Sequence, residues 1–171
     1  TQYFASVTGV DRAVGRILEH LDRLGLAAST LVVFTTDQGF NVGHHGLWGK
    51  GNASNPRNLY DTSMRIPMLL RQKGRIAPGK TVEAPVSSYD FVPTLLEWLN
   101  LPPSPGRNLP GKSFAALLRG EKTEWTDTVY GEYGQARMIR TQRAKYVHRA
   151  NGGPHELYDL AADPGENTNL A

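Results

Sequence analysis

The chain has 171 residues, a formal net charge of +3, 39% hydrophobic residues, 18 glycines and no cysteine. That length supports one core, or one core with a small appendage, and the composition is that of an ordinary globular chain. The missing cysteines exclude disulfides, thiolate metal sites and a cysteine nucleophile. The basic residues are too scattered for a nucleic-acid surface, and no apolar run approaches the roughly 18 residues of a membrane span.

Thr8 with Asp11 three positions on reads as a capping box opening a helix. Val10, Val14, Ile17, Leu18, Leu21 and Leu24 follow at helical spacing, and Gly25 stands where that helix should stop. LVVFTT (31–36) is apolar on both faces, as a strand inside a parallel sheet is, and helix then buried strand is the α/β rhythm. Residues 37–63 form a long loop punctuated by Gly39, Gly43, Gly46, Gly49 and Gly51. It also carries Phe40, Leu47, Trp48 and Tyr60, which favours an ordered, functional loop.

IPMLLR (66–71) reads as a second strand and SYDFVPTLLEWLNL (88–101) as a second helix, stopped by Pro102 and Pro103. PPSPGRNLPG (102–111) is a connector, with a short helix around 113–118. From about residue 127 the runs DTVYGEY, ARMIRT, KYVHR and HELYDL are short and alternating, which predicts an antiparallel meander. The expected organisation is an α/β part over 1–101, a connector with a short helix over 102–126, and a small antiparallel β subdomain over 127–171.

In open α/β sheets ligands bind beyond the carboxyl ends of the strands, and Asp37 stands there, followed by Gln38. A carboxylate and an amide oxygen are hard ligands of the kind Ca²⁺ or Mg²⁺ accepts, although DQG would equally serve as a strand-ending turn. Lys50 lies between Gly49 and Gly51, where an anion can come close to the ammonium; a solvated loop lysine is the plainer alternative. A phosphate-binding loop is excluded, because it needs Gly at 44 and Ser or Thr at 51, where His44 and Gly51 stand. His44 and His45 are neighbours that would point opposite ways in an extended loop, so they make a poor chelating pair. Asn52-Ala53-Ser54 fits a glycosylation acceptor, a short and common pattern.

VVFTTDQGFNVGHHGLWGK resembles the second signature region of the sulfatases, within the alkaline phosphatase superfamily. YFASVTGVDRAVGRILEHLDRLGL, LYDTSMRIPMLLR, SYDFVPTLLEWLNL, GKSFAALLRGE and ELYDLAADPGENTNL are similar, in the same order, to the segments around it in that family. The fold this implies is the C-terminal part of an alkaline-phosphatase-like α/β fold, followed by a small antiparallel β-rich subdomain with a helix. The resemblance implies a calcium ion, in preference to magnesium, with Asp37 and Gln38 at the ligand positions of this half of the fold. Gln38 stands where Asn or His is commoner. Lys50 matches the lysine that contacts the sulfate and its bridging oxygen, and His45 fits the Gly-x-His-Gly position and would line the sulfate pocket.

The family's nucleophile is a formylglycine made in a Cys/Ser-x-Pro-x-Arg motif, and that motif is absent; Ser104-Pro105 has its proline one place too early. The chain begins at Thr1, not Met. The expectation is therefore a C-terminal portion whose nucleophile and two further metal-binding aspartates belong to a missing N-terminal half. Alone it would be inactive, with exposed sheet edge and apolar surface favouring association. The expected substrate is a sulfated small molecule or sugar, with no nucleic-acid or membrane partner; Tyr133 and Arg137, in a loop between predicted strands, would lean towards it. Phosphonate or phosphodiester hydrolysis is the alternative activity, and a non-catalytic sulfatase-derived binding module the alternative class. The residues fix no compartment; many family members are periplasmic or secreted.

Overall fold

The structure is a computed structural model describing residues 2–103, 106, 108–150 and 152–171. Ser104, Pro105 and Arg107 of the connector lie outside the described residues. The chain divides into two compact units, residues 1–34 with 68–80, and residues 35–67 with 81–171.

In the first unit, helix α1 spans Gln2–Arg23. It starts well before the expected cap: Thr8 lies inside it, and its Oγ1 donates to the Phe4 carbonyl at 3.0 Å. A threonine satisfied one turn back has no need to cap. The predicted stop holds. Gly25 takes φ 70°, Leu26 N–H reaches the Leu21 carbonyl at 2.9 Å and Gly25 N–H the Asp22 carbonyl at 3.1 Å, closing the last turn. Strand β1 (Val32–Thr35) pairs with β4 (Met68–Arg71). The Gln72 amide donates to the Ala28 carbonyl at 2.8 Å, while Arg71 and Lys73 both pair with Asp22.

The expectation of a strand buried on both faces is not met within this chain. Phe34 and Leu69 are exposed, and no α1 residue is buried. Two strands and one helix do not have enough surface to cover both faces of a sheet.

The second unit holds the meander, β5 (Val129–Tyr133), β6 (Ala136–Arg140), β7 (Ala144–Arg149) and β8 (Glu156–Asp159), paired in chain order and all antiparallel. Its alternation has the period of a half-buried sheet: Lys145, Val147 and Arg149 point inward, Ala144, Tyr146 and His148 outward. Ala136, Met138 and Val147 pack with Leu59 into an apolar cluster, flanked by Met64 and Tyr133.

The helical part of this unit is fixed by Asp90. With Ser87 it forms a capping box ahead of α3 (Phe91–Trp98), and its Oδ1 also accepts the Lys112 N–H at 2.8 Å. Thr94 Oγ1 donates to the Asp90 carbonyl and accepts the Phe114 N–H, which holds the buried start of α4 (Ala115–Arg119) against α3. Between β1 and β4 the chain forms a two-stranded ribbon, β2 (Asn41–Val42) with β3 (Trp48–Gly49), and one helical turn, α2 (Asp61–Met64).

Candidate active-site loop

The loop opens where β1 ends. Thr36 Oγ1 lies 3.2 Å from Asp37 Oδ1 and 3.4 Å from the Gln38 carbonyl, so a hydroxyl dipole orients the start of the turn. Asp37 is exposed and Gln38 half-buried, and among the described residues no basic side chain pairs with the Asp37 carboxylate. Gly39 then anchors the chain: its N–H donates to the Ser63 carbonyl at 2.9 Å, and a Cβ there would stand 2.3 Å from the Thr62 carbonyl oxygen. Only glycine lets these backbones approach so closely.

Asn41 is fully buried on β2. Its amide donates to the Gly49 carbonyl at 3.1 Å and to Ser63 Oγ at 2.8 Å, and its carbonyl oxygen accepts from Thr62 Oγ1. Ser63 Oγ donates on to Asn58, whose amide reaches Ser54 Oγ and the Gly51 carbonyl. No buried side-chain nitrogen or oxygen of this polar knot is left without a hydrogen-bond partner, as burial requires. It ties together the residues just before and just after Lys50.

Lys50 leaves β3 and starts a short 3₁₀ turn over Gly51–Ala53, with its carbonyl accepting the Ala53 N–H at 2.9 Å. Its side chain is exposed, and no described carboxylate lies within ion-pair distance of it. The flanking glycines also serve packing. A Cβ at Gly51 would meet the Asn58 carbonyl at 2.8 Å and the Tyr133 ring at 2.9 Å, and Gly49 has φ 143°.

His44 and His45 sit in the turn at the ribbon's tip, not in an extended segment. His44 Nδ1 lies 3.4 Å from the Val42 nitrogen; His45 takes φ 53° and stacks on Tyr60 at 3.7 Å between centroids. Arg137 is corrected. It lies within β6, paired with Glu132 and His148 across the sheet, and its guanidinium stands 3.5 Å from the Glu132 carboxylate. Strand pairing there extends up to the two-residue turn Gly134-Gln135, which leaves no longer loop to carry Arg137. Tyr133 ends β5, packs over Gly51 and carries the Arg57 guanidinium 4.7 Å from its ring centre.

Helix α2, which grips the loop, is itself gripped. Arg140 makes a forked pair with the Asp61 carboxylate; fully buried Lys145 bonds both Asp61 at 2.8 Å and Glu166 at 2.5 Å, and Glu166 accepts the Asp61 N–H. Burial pushes the Asp61 carboxyl up, but the bonds from Arg140 and Lys145 and their charges outweigh it and hold it below its ordinary value. Beside this cluster Arg149 pairs with Glu156, which also accepts from Tyr158. Burial and the Glu156 charge push the Tyr158 phenol up.

The structure puts Asp37, Gln38, His45 and Lys50 on one braced loop and Arg137 on the meander. What sequence reading missed is the brace: Asn41, Asn58, Thr62, Ser63, Lys145 and Glu166. The isolated signal for it was polar residues inside otherwise apolar runs, such as Lys145 at an inward position of KYVHR.

The fold that carries this loop, in which a strand ends in an acid and a glycine-rich ribbon returns a lysine, is of the alkaline phosphatase-like class. The sulfatase family model matches residues 1–101, and the chain belongs to the sulfatase family. It is 34% identical to an N-acetylglucosamine-6-O-sulfatase of Bacteroides thetaiotaomicron over 98% of this chain and 31% of that protein. It is also 34% identical to a choline-sulfatase of Rhizobium meliloti, over 99% of this chain and 32% of that one.

Among solved structures, one of a protein in complex with its substrate D-glucosamine-2-N,6-O-disulfate superposes with a TM-score of 0.87 at 31% identity, covering 98% of this chain and 35% of that one. The phosphonate monoester hydrolase of Agrobacterium radiobacter superposes with a TM-score of 0.84 at 32% identity, covering 99% and 36%. The chain thus spans about a third of the length of the relatives it matches.

Proposed function

We propose that this chain is the C-terminal portion of a sulfatase that hydrolyses a sulfate ester of a sugar, and that residues 37–50 form one wall of its active site. The observation that supports this reading is the shared frame: the knot of Asn41, Asn58, Thr62 and Ser63 holds the backbone on either side of Lys50 and at Gly39, beside Asp37 and Gln38.

Asp37 and Gln38 fit part of a hard-cation site. They offer a carboxylate and an amide oxygen, with no competing base on the carboxylate among the described residues. They do not fit a whole one, because no three metal-ligating His, Asp or Glu side chains gather among the described residues. Calcium bound there would neutralise and orient the sulfate group. The other ligands and the formylglycine nucleophile would come from the part of the fold beyond these residues. Lys50 would donate to the sulfate or its bridging oxygen and offset the charge that develops on the leaving oxygen, with His45, held by Tyr60, alongside.

Phosphonate monoester hydrolysis is the second reading, favoured by the superposition on the Agrobacterium enzyme. The test is turnover of 4-nitrophenyl sulfate, 4-nitrophenyl phosphate and a phenyl phosphonate monoester by the full polypeptide with added calcium. Sulfate turnover lost in Lys50→Ala supports the first reading, and preferred phosphonate turnover supports the second. No turnover by the full polypeptide would leave a binding module. The 171-residue chain alone is expected to turn over none of the three, and activity there would refute the need for an outside nucleophile.

A further inference from the structure

The four residues Tyr60, Asp61, Thr62 and Ser63 touch four different things. The Tyr60 ring carries His45. Asp61 takes the Arg140 fork and the Lys145 ammonium, and its N–H is held by Glu166. Thr62 donates to Asn41, and its carbonyl lies over Gly39. Ser63 accepts the Gly39 N–H and the Asn41 amide. A single helical turn therefore joins the candidate active-site loop on one side to an ion cluster on the other.

That cluster reaches far along the chain. Glu166 lies 105 positions from Asp61 and belongs to a C-terminal turn whose conformation is itself fixed. It takes φ 55°, in the left-handed region, and Asp163 accepts from Asn167 and from the Thr168 N–H. Its carboxylate is 2% exposed and faces a fully buried lysine. A buried cation between a buried Glu166 and a half-buried Asp61 stays favourable only when every partner is in place. The position of Glu166 is therefore transmitted to Asp61, and through the α2 backbone to Gly39 and Asn41.

We infer that Glu166 and Lys145 are positioning residues for the metal- and anion-binding loop, so that the C-terminal turn sets the placement of Asp37, Gln38 and Lys50 without touching the substrate. The inference rests on reading that loop as the active-site wall. It goes beyond that reading in assigning the brace to a segment the loop never meets in sequence.

The experiment is hydrogen–deuterium exchange on the full polypeptide without added metal, comparing wild type with Glu166→Gln, which keeps size and removes the charge opposite Lys145. Exchange of peptides covering 37–50, the Gly39 amide included, should rise about tenfold while peptides from β5 and β6 stay unchanged. In the same variant, calcium titrated against sulfatase activity should show half-activation at a higher concentration. Unchanged exchange over 37–50, or a uniform rise through the meander as well, would overturn the inference, because a merely structural ion pair loosens everything or nothing near the site.

If Glu166→Gln does not fold, Arg140→Lys reads the same brace from the other side of Asp61, with the same two outcomes. Lys50→Ala separates the two claims. It should abolish activity and leave exchange over 37–50 unchanged; if activity survives, the active-site reading fails, while the brace is still judged by exchange.

Discussion

Replacing Gly39 by alanine tests the frame most directly. The new Cβ would stand 2.3 Å from the Thr62 oxygen, 2.9 Å from the Ser63 carbonyl carbon and 3.0 Å from its Cα. A carbon and an oxygen in contact normally lie about 3.3 Å apart, so one backbone must retreat by about 1 Å. All three obstructing atoms belong to α2, whose Asp61 is held by three side chains. The retreat therefore falls on the loop. Overpacking of this kind costs about 1–3 kcal/mol. The stretched Gly39–Ser63 hydrogen bond adds about 1 kcal/mol.

The control is Gly43→Ala. There nothing lies within 4 Å, and only φ 100° resists, at about 1–2 kcal/mol. The assay is the urea midpoint of the full polypeptide together with ester hydrolysis. Gly39→Ala should lower the midpoint by more than Gly43→Ala and depress activity further than stability accounts for. Equal midpoints for the two variants, or a Gly39→Ala protein with wild-type activity, would refute the argument that α2 fixes this loop.

Lys145→Met should destabilise the protein by about 3–5 kcal/mol, read as a drop in the urea midpoint, because the buried Glu166 carboxylate loses its cation while Asp61 stays beside it. Asp61 supplies a pH signature. Its folded pKa is depressed, so its stabilising contribution is complete above its unfolded pKa of about 4 and is lost as pH falls through the lower folded value. Asp61→Asn should therefore be less stable at neutral pH and show a shallower acid decline, measured as midpoint against pH. Tyr60→Ala removes a ring stacked on His45, an interaction of about 0.5–1.5 kcal/mol. Faster exchange at residues 44–46 and a raised KM with little change in kcat are expected.

The repetitive elements were legible because each is a local decision. α1, β1, β4, α3, α4 and the four meander strands all appear where periodicity put them, since a side-chain period of two or 3.6 can be read within a dozen residues. The start of α1 was misread because Thr8 has two local ways to satisfy its hydroxyl, a cap or a bond one turn back, and sequence cannot rank them. Asp37, Gln38 and Lys50 stand out as polar residues in a glycine-rich loop after an apolar run. Arg137 belongs to the run ARMIRT that itself predicts a strand, and it stands inside β6 and not on the loop expected to lean towards the substrate. The brace was illegible for a different reason. Glu166, Lys145 and Asp61 are each ordinary in their own segment, and only the folded chain puts them within 3 Å of one another.

The division of labour in this unit follows from what each interaction can fix. Leu59, Ala136, Met138 and Val147 give the meander its driving force, but apolar contact has little directionality and leaves a loop free to slide by fractions of an ångström. Asn41, Asn58 and Ser63 take three buried positions that apolar residues would fill more cheaply. In return their hydrogen bonds fix the separation and angle of Gly39, Gly49 and Gly51, which are the backbone points next to Asp37, Gln38 and Lys50. The ion cluster repeats the arrangement one layer deeper, with Lys145 holding two carboxylates whose own bonds end on the α2 backbone and on Arg140. A site that must present a carboxylate and an ammonium at a fixed spacing needs this kind of support, because both groups are exposed and neither fixes the other. The buried polar residues are therefore where this loop's geometry is set, and conservative apolar substitutions there should preserve folding before they preserve activity.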